Sequence, residues 1–233
     1  MTWTAISTAD NLQFVADDGD PEGTYYCYLT KEIGAPSYSF TFRGAKNVVL
    51  CLNGHTITGA EDSSKPVITV EEGKTFTLCD CGGEGQIIQV SQYSQGGVYV
   101  ESGTFNLYGG AITRTAASST DMIGVCVSGG TEGETAYTGT FNMYGGAITA
   151  SIGGGVRVES GGVFDLHGGS ITNNKAGATG CKGGGVYVER GTFTVSGNAN
   201  ISGNKAGATS AAATEANNVY LAGAIRPSRL AAI

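Results

Sequence analysis

A segment of this chain recurs in close copies, and this repetition limits the possible folds more than any other feature. The clearest copy runs from Val98 to Thr113 and reads Val-Tyr-Val-Glu-Ser-Gly-Thr-Phe-Asn-Leu-Tyr-Gly-Gly-Ala-Ile-Thr. The apolar residues that open the copies lie 27 to 33 residues apart, at Ile68, Val98, Val125, Val156, Val186 and Val219. One copy cannot bury its own apolar side, so stacked copies must share an interior.

Each copy has the periodicity of three short strands. In the clearest copy the alternating apolar residues are Val98 and Val100, then Phe105 and Leu107, then Ile112, with glycine turns between them. The copies are too short for the crossover helices of a doubly wound sheet. We therefore predict an all-β fold, a right-handed parallel β-helix, because parallel crossovers favour that hand. An antiparallel sandwich is the weaker alternative, since sandwiches do not copy a sequence motif.

The repeat predicts a single β-helix domain over residues 1–233. We divide it into an N-terminal cap (1–23), irregular early coils (24–66), regular coils (67–221) and a tail (222–233). The cap contains a predicted helix from Ser7 to Ala16, in which Ser7 and Asp10 have capping-box spacing and Leu12 and Val15 share one face. Such a helix would cover the open edge of the first coil.

In the early coils, the sequence is aligned with the clearest copy so that Leu50 and Leu52 take the places of Phe105 and Leu107. Three segments after third strands are interpreted as plain coil connections: Arg114 to Gly124, Asn173 to Gly185 and Asn204 to Asn218. A further insertion, Gly129 to Gly139, separates the first strand of one copy from its second.

Composition agrees with a solenoid. The 39 glycines and only four prolines among 233 residues suit many tight corners, and 40% hydrophobic residues suit a buried interior. A net charge of −7 argues against nucleic acid as a partner. No apolar run is long enough to span a bilayer, so we expect no membrane insertion. The six cysteines are too sparse for a disulfide framework, and we expect mostly free thiols.

Several segments resemble the repeats of pectate-lyase-like parallel β-helix proteins of bacterial cell surfaces. They are Gly-Gly-Val-Tyr-Val-Glu-Ser-Gly, Leu-Cys-Leu-Asn-Gly-His-Thr-Ile and Phe-Thr-Leu-Cys-Asp-Cys, and the resemblance covers about residues 3–221. It implies an adhesin-like module for adhesion or display, located outside the cell or on the cell wall. No signal peptide precedes Trp3 and the pattern breaks after Leu221, so we expect further domains of the same protein to be missing.

The same superfamily includes polysaccharide lyases and glycoside hydrolases, but no complete catalytic motif of theirs is present here. We therefore assign no catalytic residue and expect a protein that is not an enzyme. Asp165 with Arg157 is the nearest approach to a lyase site. The enzymatic alternative is a carbohydrate-active enzyme with Asp165 and Glu159 as its acid and base.

Equivalent positions stack in columns, and one outward column is aromatic. It places Tyr108, Tyr144 and His167 on consecutive coils beside Asn106, Asn142 and Asp165. Rings next to amides and carboxylates suit a sugar, so we predict a binding site for a cell-surface or dietary glycan. Its residues are Tyr108, Tyr144, Asp165, His167 and Arg157. The alternatives are rings that stack only to stabilise the sheet, and a chain that serves as a passive structural spacer.

Two other groups of residues raise the question of a metal. Glu71, Glu101, Glu159 and Glu189 form an acidic column, which we interpret as solvated, with calcium between Glu159 and Glu189 as a weak alternative. Cys79 and Cys81 share a strand face and, with His55, could offer three ligands. Because a zinc site needs four and no fourth is evident, we predict no metal and no cofactor.

Overall fold

The computed structural model describes residues 2–17, 23–43, 47–71, 73–92, 96–115, 123–132, 134–177, 182–207 and 213–222. Three long sheets of parallel strands dominate it, and the chain visits them in turn. Each regular coil contributes one strand to each sheet. The predicted parallel β-helix is confirmed.

The strands of a coil are numbered along the chain, and the sheets are named in the order in which a regular coil visits them. The first sheet holds β4 (Phe40–Phe42), β7 (Ile68–Val70), β10 (Gly96–Val100), β13 (Ile123–Val127), β18 (Val156–Val158), β22 (Val186–Val188) and β27 (Val219–Leu221). The second sheet holds β1 (Trp3–Ile6), β2 (Thr24–Leu29), β5 (Asn47–Cys51), β8 (Thr75–Cys79), β11 (Thr104–Leu107), β16 (Thr140–Met143), β19 (Val163–Leu166) and β23 (Thr192–Val195). The third sheet holds β3 (Ile33–Gly34), β6 (Thr56–Thr58), β9 (Gln86–Gln89), β12 (Ala111–Arg114), β17 (Ala147–Thr149), β20 (Ser170–Thr172) and β24 (Asn200–Ser202).

The register of the regular coils agrees with the repeat. Val98 pairs with Ile68 on one side and Val125 on the other, and Phe105 pairs with Phe76 and Phe141. These residues point inward and are buried, because side chains alternate across a strand and the apolar set faces the interior. The buried phenylalanines stack face to face with centroid distances of 4.7 to 5.7 Å from Phe76 to Phe164.

The predicted N-terminal helix is present as α1 (Ala9–Asp17), and it packs against β4. Leu12 and Val15 are buried, as their shared face predicted. The N-cap residue of this helix differs by one position from the prediction. Thr8, not Ser7, accepts the backbone N–H of Asn11 through Oγ1 at 3.1 Å, so the helix begins after Thr8.

The alignment of the early coils was wrong by two residues. Leu50 pairs with Leu78, which pairs in turn with Leu107, and Val48 occupies the position equivalent to Phe105. Leu52 follows β5 and is buried at the corner. The physical reason is that Val48, Leu50 and Leu52 all satisfy the same alternation, which cannot choose between registers two residues apart.

The insertion between β13 and β16 forms an antiparallel hairpin of β14 (Gly129–Glu132) and β15 (Thr135–Thr138). Two of the connections also contain strands. β21 (Lys175–Ala176) and β25 (Lys205–Ala206) pair in parallel, and β26 (Glu215–Ala216) joins β25 antiparallel. The interpretation of these two segments as plain connections was therefore wrong at β21, β25 and β26.

The third connection also begins differently from the prediction. Arg114 is the last residue of β12, and its side chain is fully buried. The connection itself falls largely on residues outside the described parts of the chain. No disulfide joins the five cysteines of the described residues to one another, and Cys181 lies outside those residues. No helix in the described parts of the chain is long and apolar enough to cross a membrane.

Candidate functional site

The predicted aromatic column exists on the outer face of the second sheet. Tyr108, Tyr144 and His167 each follow the last residue of a strand, β11, β16 and β19, whose registers match residue for residue. The inward residues of those strands fix this arrangement, because Leu107, Met143 and Leu166 are fully buried and the next residue must point out. We call these three rings the aromatic ladder.

The rings of the aromatic ladder stack on one another. Tyr108 and Tyr144 have centroids 4.7 Å apart with planes inclined by 15°. Tyr144 and His167 follow at 4.9 Å and 10°. Tyr108 remains 54% exposed and Tyr144 42% exposed. Since the middle ring has a neighbour on each face, the ladder presents ring edges and polar tips to solvent.

This stacking changes how a sugar could meet the rings. A sugar cannot lie flat on Tyr144, since both faces of that ring are covered. An extended glycan that runs along the coil axis can still contact successive ring edges, the tyrosine hydroxyls and the imidazole. The strands that carry the rings are spaced by ~4.8 Å, so the ladder extends over about 10 Å.

A polar row runs beside the aromatic ladder and contains the predicted Asp165. Asn142 donates from Nδ2 to Oδ1 of Asn106 at 2.9 Å, and Asn106 donates from Nδ2 to Oγ1 of Thr77 at 3.3 Å. Thr194 donates its hydroxyl to Asp165. Each asparagine amide carries two N–H donors, and these bonds use one of them. The row therefore keeps directional hydrogen-bonding capacity toward solvent.

His167 is held in place from the following coil. Its Nδ1 lies 2.9 Å from the hydroxyl of Ser196, so this contact fixes the orientation of the imidazole and leaves Nε2 for solvent or ligand. His167 and Asp165 are two residues apart and project from the same face of β19. The structure thus brings together four of the five predicted glycan residues.

Arg157, the fifth predicted residue, lies elsewhere. It is in β18 of the first sheet, whereas the aromatic ladder is on the second. Its Nη2 is 2.7 Å from Glu189, its Nε is 3.2 Å from Glu159, and its guanidinium sits 5.8 Å from the ring centre of Tyr187. Arg157 therefore serves a different surface from the aromatic ladder.

The surface around Arg157 is an open cleft of about 250 Å³ at the corner between the first and second sheets. Glu159, Ser160, Glu189 and Arg190 line it, together with Gly129 at the start of the hairpin. The last two members of the predicted acidic column, Glu159 and Glu189, thus lie here, and Arg157 supplies the positive charge between them. A calcium ion at this place would have to compete with Arg157 for both carboxylates.

The acid and base of the enzymatic alternative have separate surroundings. Asp165 lies within β19 and accepts a hydrogen bond from Thr194. Glu159 lies at the corner before that strand and pairs with Arg157. These two carboxylates therefore have different partners.

The cysteine group differs from its prediction in one ligand. His55 is not part of the group of ligand atoms that lie within 4.8 Å of one another here, and its Nδ1 lies 3.5 Å from a carboxylate oxygen of Glu32. The shifted register of the early coils instead places Cys51 next to Cys79. The Sγ atoms of Cys51, Cys79 and Cys81 all lie within 4.8 Å of one another. Sequence reasoning missed Cys51 because the alignment assigned Asn53 to that position.

Comparisons with protein-family models, with curated proteins and with solved structures find no match for this chain. The structure therefore supports the stacked parallel strands of a β-helix, and no comparison supports membership of the pectate-lyase-like family.

Proposed function

We propose that this chain is a non-catalytic surface module of adhesion or display that binds a glycan along the aromatic ladder. The observation that carries the proposal is the exposed stack of Tyr108, Tyr144 and His167 over three consecutive coils. A stack of this kind offers amphipathic area on rigid side chains that lose little entropy on binding. A flat, repeating surface suits an extended polymer better than a single small molecule.

The polar row supports the same ligand class. Asn106, Asn142 and Asp165 lie beside the rings at the same axial spacing, so hydroxyl groups of successive sugars would meet successive amide and carboxylate groups. Hydroxyl-rich ligands need such directional partners in addition to apolar contact. The place of action that we propose is outside the cell or on the cell wall, where long glycans occur.

The first test is binding of the purified chain to a glycan array, with and without calcium. For a glycan that binds, the double variant Tyr108→Ala/Tyr144→Ala should weaken binding by roughly 100-fold, because each aromatic contact contributes about 1 to 2 kcal/mol. Oligosaccharides that span about 10 Å should bind more tightly than shorter ones, since only they contact all three coils.

The matched control is Tyr38→Ala. Tyr38 is 47% exposed, like the ladder tyrosines, and belongs to an earlier coil, so its removal should leave the affinity unchanged. Equal binding by the wild-type chain and the double variant would show that the ladder is not the binding surface. A wild-type chain that binds no glycan, with or without calcium, would refute glycan recognition and leave the passive spacer.

A further inference from the structure

Three cysteines from two neighbouring coils converge at one corner of the solenoid. Cys51 ends β5 and Cys79 ends β8, and the two residues are paired in register. Cys81 follows two residues later, with its Sγ 2.9 Å from that of Cys51. All three sulfur atoms lie within 4.8 Å of one another. We call this group the thiol cluster.

The backbone around the thiol cluster is held rigidly. Asp80, between two of the cysteines, accepts backbone N–H groups from Gly54 at 2.7 Å, Gly82 at 3.2 Å and Gly85 at 2.8 Å. A Cβ atom at Gly82 would lie 2.4 Å from the backbone nitrogen of Gly54, so the two turns are in close contact. The positions of Cys79 and Cys81 are therefore set before any ligand arrives.

The protonation states of Cys79 and Cys81 depend on whether a cation is bound. Burial, and then the neighbouring Cys51, raise the pKa of Cys79 to about 12. The contact with Cys51 raises the pKa of Cys81 as well. Without a cation, Cys79 and Cys81 are thus neutral thiols at neutral pH and poor nucleophiles. A bound cation would instead lower the pKa values of these thiols, since a coordinating thiol is deprotonated.

We propose that Cys51, Cys79 and Cys81 form a three-thiolate site for one thiophilic cation of the Zn²⁺ or Cu⁺ type. Thiolates select these soft ions over Mg²⁺ and Ca²⁺. Three sulfur atoms bound tetrahedrally at about 2.3 Å from zinc lie about 3.8 Å apart, so the closest pair must separate by only about 1 Å. Binding of Zn²⁺ to three thiols gives an anionic trithiolate complex and releases three protons.

The surroundings fit this assignment. The backbone N–H of Cys81 donates to Sγ of Cys51 at 3.3 Å, the kind of outer contact that steadies a metal-bound thiolate. Cys81 is exposed, which gives the ion a path in and leaves a coordination position for water. The carboxylate of Asp80 is already bound to three amides, so the ligand set is three sulfur atoms. The cluster lies next to the proposed glycan surface, because Cys79 occupies the position equivalent to Tyr108 on the preceding coil.

The test uses the reduced full chain, titrated with Cd²⁺ as a spectroscopic probe and then with Zn²⁺ in competition. We expect one Cd²⁺ per chain, the ultraviolet charge-transfer band of cadmium thiolate, and displacement by Zn²⁺. A parallel titration with Cu⁺ distinguishes the two biological ions. Apparent affinity should fall as pH is lowered, because protons compete for the sulfur atoms.

Two variants test whether the ion binds to the thiol cluster or to any cysteine of the chain. Cys79→Ser should weaken Cd²⁺ binding by at least about 100-fold. Removing a residue that only hydrogen-bonds a metal ligand already costs up to about 100-fold in affinity, and Cys79 is itself a ligand. Cys126→Ser is the matched control, because Cys126 is a buried cysteine of the first sheet outside the cluster, and the variant should bind as the wild type does. Circular dichroism checks that both variants fold.

Three results would overturn the proposal. The first is reduced, folded protein that takes up no stoichiometric Cd²⁺, and the second is a Cys79→Ser variant that binds as tightly as the wild type. The third is a Cys51–Cys81 disulfide, seen by mass spectrometry as the loss of two hydrogen atoms, in protein purified with Zn²⁺ present and no reductant. The cluster would then be an oxidisable thiol pair.

Discussion

At the scale of single residues, Arg114 is the most unusual part of the interior. Its side chain is fully buried, and it donates from Nη1 to the carbonyl of Ile152 at 2.8 Å and from Nη2 to that of Ser91 at 3.0 Å. Burial lowers the pKa of Arg114 to about 10, which still leaves it charged at neutral pH. The guanidinium thus bridges backbone groups that would otherwise face an apolar interior.

We predict that Arg114→Ala lowers the free energy of unfolding by about 3 kcal/mol or more, because it leaves both a cavity and buried carbonyls without this donor. Urea denaturation followed by circular dichroism measures the change. Arg43→Ala, at an exposed arginine, should change stability by less than about 0.5 kcal/mol. If the two variants lose equal stability, the bridging role is refuted.

Single residues also show which parts of the candidate site could be predicted from the sequence. Tyr108, Tyr144, Asp165 and His167 were placed correctly, because a copied motif fixes which residues stack. Cys51 was missed, since the run from Val48 to Leu52 alternates over more residues than the strand uses and fits two registers equally well. Arg114 was missed because charged side chains are rarely buried, so the pattern alone favours a loop.

At the scale of elements, a row of asparagines joins the corners after the third sheet. Asn174 donates from Nδ2 to Oδ1 of Asn204 at 2.9 Å, and Asn204 donates in the same way to Asn218 at 3.1 Å. The amide of Asn204 also reaches the carbonyl of Ile171 at 2.8 Å. This row satisfies backbone groups that the turns remove from the sheets. A signal existed in the sequence, because Asn-Lys-Ala-Gly-Ala-Thr occurs at both 174 and 204.

We predict that Asn204→Ala destabilises the fold by about 3 kcal/mol, because buried groups on two neighbouring coils lose their partner at once. The midpoint of urea denaturation should fall accordingly. The control is Asn200→Ala, which removes an exposed amide from β24 only four residues away and should leave the midpoint nearly unchanged. A similar, small change in both variants would mean that the row contributes little.

At the scale of the whole molecule, repetition made the fold predictable. Each regular coil buries the same kinds of residue at the same positions, so one motif determines three sheets. The hairpin of β14 and β15 was not predicted, because it lies in an insertion that the other copies lack. The small sheet around β25 was not predicted, because its strands of two residues are too short to show alternation. A β-helix also needs protection at the ends of its stack, where strands have unpaired edges. Helix α1 supplies this protection at the first coil, where it packs against β4.

We predict that Leu12→Asp disrupts this protection. Leu12 is fully buried on the inner face of α1. An aspartate there would place an unpaired charge in the interior at a cost of several kcal/mol, and the helix would detach from the first coil. The exposed edges of the first coil should then pair with those of other molecules, which light scattering and analytical ultracentrifugation would detect as self-association. Phe14→Asp is the matched control, since Phe14 is in the same helix and 65% exposed. A Leu12→Asp variant as stable and monomeric as that control would show that α1 does not protect the edge of the first coil.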